Sequence, residues 1–120
     1  MCKTTHLEFE AAFRLSLFLQ REFGLSPGGA HADLDGDVLT VQMMNALTPI
    51  GLVVSQSPDG AAALKGVYTI LYEINRNKME RLISRIAGVP VDDSQMQIDV
   101  ENAGVLICFH LRRTQSHDAA

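Results

Sequence analysis

The 120-residue chain runs twice through one segment order, a helical stretch, a glycine stop, a proline and a β-hairpin. The first unit covers positions 5–23, then Gly24-Leu25-Ser26-Pro27 and a strand pair around Asp35-Gly36. The second covers positions 58–87, then Gly88-Val89-Pro90 and a strand pair around Asn102-Ala103-Gly104. Hairpins and helices each bury one face, so α-β-β-α-β-β predicts an α+β two-layer sandwich: a four-stranded antiparallel sheet with two main helices on one face. The length fits a single domain over residues 1–113, with 114–120 as a disordered tail.

Local signals set the expected boundaries. Thr5-His6-Leu7-Glu8 reads as a capping box that starts the first helix. Leu7, Ala11, Leu15, Phe18 and Leu19 follow the helical period, while Phe9, Phe13 and Leu17 widen the apolar surface beyond one stripe. A helix of that kind touches more than its own sheet. Gly24 closes it and Pro27 prevents its resumption.

With Asp35-Gly36 as a tight turn and Leu34 opposite Asp37, the first hairpin sorts into two faces. Ala30, Ala32, Leu34, Leu39, Val41 and Met43 form the core face; His31, Asp33, Val38, Thr40, Gln42 and Met44 form the other. In the second hairpin Met96, Ile98, Val100, Val105, Ile107, Phe109 and Leu111 point inward, opposite Gln97, Asp99, Leu106, Cys108 and His110. Between the halves, Thr48 caps and Pro49 opens a short helix through about Val54. Ser57-Pro58 repeats that signal and starts a helix reaching Gly88, about 45 Å long. Such a length exceeds what the sheet requires, so its first turns either pack on the short helix or reach a second subunit.

Composition excludes several classes of function. Hydrophobic residues make up 47% and charged residues 20%, the balance of a packed domain. A net charge of −4 and a pI near 5.4 argue against nucleic acid, whose affinity needs clustered cations. Cys2 and Cys108 are the two cysteines, so a disulfide framework is not expected and a reducing cytoplasm fits. Neither a signal-peptide pattern nor an apolar run long enough to cross a bilayer occurs, so direct membrane insertion is not expected.

Alternation places His31, Cys108 and His110 on the outer sheet face, and Cys and His are transition-metal ligands. The competing reading is a set of half-buried residues under a partner. Asn45, Thr48 and Pro49 mark a second candidate binding region, beside helix starts that attract anions. Arg76, Lys78, Arg81 and Arg85 are interleaved with Glu73 and Glu80, either as a salt-bridged solvent face or, through Arg76 and Lys78, as a site for an anion or acidic partner. Asp92-Asp93 and Asp99-Val100-Glu101 read as solvated turn residues. The glycines form neither a dinucleotide fingerprint nor a phosphate loop. No set of nucleophile, base and orienting acid stands out, so neither an enzyme nor a cofactor is expected.

Several features resemble the MpsC-like family. They are Leu47-Thr48-Pro49 after the first hairpin, Asp59-Gly60 opening the long helix, Met79 through Ile83 to Gly88 with Val91 beyond, Asp99 in the third strand, and Phe109-His110-Leu111 in the last. The similarity spans about Leu7 to Leu111. One departure is Gly51, where the family pattern has an acidic residue shortly after Leu-Thr-Pro; with it goes a capping box at Thr48. The family name refers to a sodium-translocating, membrane-potential-generating system whose other components are associated with inorganic-carbon supply. The resemblance implies a non-catalytic accessory or regulatory role beside a membrane complex. The expected partners are a membrane transporter subunit, which the resemblance implies, and a second copy of the chain in a homodimer, which Val38, Met44, Leu106 and Cys108 call for by making the outer sheet face too apolar to be left to water. The alternative is a dimer that senses a small ligand or metal through the outer sheet face.

Overall fold

The computed structural model describes residues 2–25, 28–47, 49–99 and 103–112. Pro27, Thr48, Val100, Asn102 and the expected 114–120 tail lie outside them. The elements are α1 (Cys2–Phe23), β1 (Gly29–Asp35), β2 (Val38–Met44), α2 (Pro49–Val54), α3 (Pro58–Ala87), β3 (Val91–Asp99) and β4 (Gly104–Leu111). The four strands form one antiparallel sheet in the order β1-β2-β4-β3, so the second strand of each half lies at the centre. The two long helices pack on this sheet, as the α-β-β-α-β-β order predicts.

The core follows from strand alternation. Leu39, Val41 and Met43 of β2 and Val105, Ile107 and Phe109 of β4 are each at most 1% exposed. Ala11, Leu15 and Leu19 of α1 and Met79 and Ile83 of α3 close over them with no exposed surface. Met96 and Ile98 of β3 pack against the rim of this cluster. Ala30, expected in the core, is exposed at the start of edge strand β1.

The first hairpin keeps its expected faces but shifts its register. Leu34 pairs with Leu39 and Asp35 with Val38, so the loop is Gly36-Asp37 rather than Asp35-Gly36. Gly36 has φ +65°, and a positive φ at the first loop residue is the glycine position of a II′ turn. The displacement is two residues, one full pleat, and therefore leaves every side chain on its own face.

The first helix begins at Cys2, upstream of the expected capping box. Glu8 has a different use: its carboxylate accepts a hydrogen bond from the backbone N–H of Leu34 at 2.7 Å. Leu34 sits on an edge strand, where an N–H turned away from β2 finds no strand partner, and α1 supplies the acceptor. At the start of α3, Ser57 caps as expected, accepting from the Gly60 N–H at 3.0 Å. Gly60 itself is required by close approach, because a β-carbon there would lie 1.9 Å from the Val54 carbonyl oxygen of α2. At the far end Gly88, with φ +77°, donates its N–H to the Ser84 carbonyl at 2.8 Å.

Two stability effects are expected. Glu8→Ala leaves a half-buried N–H without its charged acceptor and costs about 1.5–3 kcal/mol in urea denaturation, with Glu8→Gln losing less. Gly60→Ala, which in an ordinary helix interior stabilises, lowers stability by about 1–3 kcal/mol because the methyl group forces α2 and α3 apart. A higher melting temperature for that variant would refute the close approach.

Candidate functional site

The residues singled out from the sequence fall into three places. His31, Cys108 and His110 share the outer face of the sheet, but His31 lies on β1 and pairs with Gln42, which pairs with Leu106. Two strand spacings and two residues of rise therefore separate His31 from Cys108, on the order of 12 Å between backbones. A zinc–ligand bond is about 2 Å, so these two side chains do not meet at one ion. Among the described residues no three His, Cys, Asp or Glu side chains could hold a metal ion together. Cys108 is half-buried and lies 3.7 Å from the Thr40 hydroxyl on the neighbouring strand.

Asn45 belongs to a cleft of about 820 Å³ at one end of the sheet, shared with Met44, Lys65, Thr69, Gln97 and Asp99. Its φ of +51° turns the chain out of β2, a conformation asparagine tolerates better than most residues. Ala46 then donates its N–H to the Ala103 carbonyl at 2.7 Å, tying this turn to the entry of β4. Pro49 is the first residue of α2. Arg76 and Lys78 line neither this cleft nor a site with each other.

Arg76 turns toward β3. Its guanidinium bonds Glu80 at 3.2 Å and Asp93, and lies 3.9 Å from Glu73. The hydrogen bond that Arg76 donates to the Glu80 carboxylate holds its guanidinium above the ordinary arginine value. Beneath these charges, Ser94 of β3 is 3% exposed and donates to the Glu80 carboxylate at 2.6 Å. That use of its single proton makes Tyr72 the donor in the 2.5 Å Tyr72–Ser94 contact. Burial raises the Tyr72 hydroxyl above the usual tyrosine value. The network seats α3 on β3, so Arg76 is a structural cation rather than an open anion site.

Lys78 turns the other way. Together with Arg81 and Arg85 it faces Arg14 and Arg21 of α1 across a groove of about 370 Å³. Leu17, Phe18 and Leu82 form the apolar lining between these cations. Arg14 is paired with Glu10 at 2.8 Å and Arg21 with Glu22 at 3.2 Å. Among the described residues Lys78, Arg81 and Arg85 have no anionic partner. The contribution of Arg14 and Arg21 was hidden in the sequence, since only the packing of α1 beside α3 brings them to this groove.

Comparison with known proteins bears on what these surfaces serve. The profile of one family, described as Na+-translocating membrane potential-generating system (MpsC), matches residues 3–113. The chain belongs to the MpsC family. No curated protein and no solved structure matches. The residues that carry the MpsC resemblance are largely joints of the fold: Gly60 lies against the carbonyl end of α2, Met79 and Ile83 fill the core, and Gly88 ends α3. Asp99 lies instead on the rim of the Asn45 cleft. Among the described residues of this MpsC chain, no helix is long and apolar enough to cross a membrane.

Ser94→Ala removes one donor from Glu80 and the acceptor from Tyr72, and is expected to destabilise by about 1–3 kcal/mol. Adding Tyr72→Phe, which removes the orphaned hydroxyl, recovers part of that loss in a double-mutant cycle followed by urea denaturation. Strict additivity of the two substitutions would show that the contact does not couple them.

Proposed function

We propose that this MpsC chain is a non-catalytic accessory or regulatory domain that acts by protein association, as a homodimer and beside a membrane ion or inorganic-carbon transport system. The observation that carries the reading is the apolar surface turned outward by the two long helices. Phe9, Phe13 and Leu17 on α1 are 67%, 54% and 47% exposed, and Val67, Ile70 and Ile74 on α3 are 52%, 61% and 68% exposed. Isolated exposed apolar residues are ordinary on protein surfaces. Large ones recurring at helical spacing, one run on each helix, form apolar stripes of the kind that in other proteins mark interaction sites.

On the outer sheet face the signal is weaker. Met44 is 52% exposed, but Val38, Leu106 and Cys108 are already half-buried. The dimer contact therefore belongs to the middle of α3, where Val67, Ile70 and Ile74 recur at intervals of three and four residues, the spacing that lets two helices interlock. The reading is supported by the family's description, which names a Na+-translocating membrane potential-generating system. A domain of this kind serves such a system by binding to it.

Light scattering coupled to size exclusion tests the dimer. The wild-type chain is expected at twice its 13.1 kDa mass and an Ile70→Asp/Ile74→Asp variant at the single mass, with unchanged circular dichroism. A wild-type monomer at micromolar concentration would remove the dimer from this reading.

A further inference from the structure

The groove between α1 and α3 combines three properties that together define an occupant. Its rims carry cations from both helices, Arg14 and Arg21 on one side and Lys78, Arg81 and Arg85 on the other. Its floor is apolar: Phe18 is buried and Leu82 half-buried between the rims. From Leu17 the apolar surface continues along α1 through Phe13 and Phe9, at intervals of four residues, with the two phenyl rings stacked at 6.3 Å.

We propose that this groove receives an acidic amphipathic helix of a partner protein, with the apolar side of the helix on Phe18 and Leu82 and its carboxylates on Lys78, Arg81 and Arg85. The proposal rests on the association reading above and names the partner chemistry of one surface. The span from Arg14 to Arg21 is eight residues, about 12 Å or two helical turns, which matches a short docked helix. The chain as a whole carries −4, so a concentration of cations in one groove opposes its overall charge and selects an acidic ligand by complementarity.

Two other occupants fit less well. A lipid bilayer is a broad surface that meets the tips of the arginines, whereas Phe18 and Leu82, buried and half-buried between the rims, are reached by side chains that enter the groove. A second copy would have to supply free carboxylates. Glu10, Glu22, Glu73, Glu80, Asp92 and Asp93 are already engaged in ion pairs within the chain. The exposed Asp33 and Asp35 lie on the edge hairpin and the exposed Asp59 in the first turn of α3, all outside the groove, so seating any of them in the groove of another copy is a head-to-tail contact that makes rings or filaments rather than a dimer.

The test uses fluorescence anisotropy with a short labelled helical peptide bearing leucine at every third or fourth position and glutamate at most others. A lysine-for-glutamate peptide and phosphatidylglycerol vesicles are run alongside. The glutamate peptide is expected to bind the full chain, weaken with added salt, and lose about tenfold or more in affinity in Arg81→Glu/Arg85→Glu. Both residues are exposed and unpaired, so the variant is expected to keep its circular dichroism and its mass in light scattering, with a melting temperature lowered slightly because Arg85 sits in the last turn of α3. No binding of the glutamate peptide, binding unaffected by Arg81→Glu/Arg85→Glu, or equal binding of the lysine peptide would overturn the proposal. Sedimentation with the vesicles while the glutamate peptide stays free would overturn it in favour of a bilayer. Light scattering on the same samples separates the two readings, since a wild-type dimer alongside a silent peptide rejects the acidic helix and leaves association standing.

Discussion

The seam between β2 and β4 is the contact on which the rest of the structure depends. It joins the two halves of the chain through pairs running from Val38 with His110 to Met43 with Val105. Its inner side is built from Leu39, Val41 and Met43 facing Val105, Ile107 and Phe109, all withdrawn from water. Because strand side chains alternate, committing these six to the core also commits Thr40, Gln42, Leu106 and Cys108 to the opposite face. The mixed polarity of the outer sheet face is thus a consequence of the core rather than a separate design for binding.

The same alternation explains why the sheet was legible in the sequence while the register of its first hairpin was not. A two-residue slip conserves both faces, so Ala32, Leu34, Leu39 and Val41 were assigned correctly while the turn was displaced from Asp35-Gly36 to Gly36-Asp37. Glycine identity marks a positive φ but not which loop position holds it. The start of α1 was misplaced for a related reason. Thr5 and Glu8 satisfy the spacing of a capping box, but Glu8 has a stronger use against the edge-strand N–H of Leu34, and that competition is tertiary. Ser57 and Gly88, whose partners lie within four residues, were read correctly from local pattern alone.

Of the candidate site, the sequence identified the cations but not their grouping. Arg76 and Lys78 are neighbours in sequence, yet two residues of an α-helix subtend about 200°, so they point to opposite sides of α3. One side meets β3, where Asp93 and Ser94 tie Arg76 into a polar network that runs from the surface down to buried Ser94. The other meets α1, where Arg14 and Arg21, each paired with a glutamate of its own helix, form the opposite rim. His31, Cys108 and His110 show the complementary failure. They share a face, as expected, but a face of four strands is wide, and strand order sets His31 apart.

On α3 the outward stripe Val67, Ile70, Ile74, Lys78, Arg81 and Arg85 keeps an interval of three or four residues throughout, so it is one continuous line on the helix. Its chemistry changes midway, from apolar side chains to unpaired cations. Burial of the first part is driven by apolar surface leaving water, a term insensitive to salt, with a negative heat-capacity change as its signature. Contacts of the second part are screened within about 8–10 Å at ordinary ionic strength and gain most in specificity and association rate. A single occupant covering the entire line would need an apolar half and an acidic half in matching order. The two occupants proposed above, a second copy on the apolar half and an acidic helix on the cationic half, divide it without that constraint. On that proposal self-association persists at salt concentrations that release the acidic helix, because only the second contact is screened.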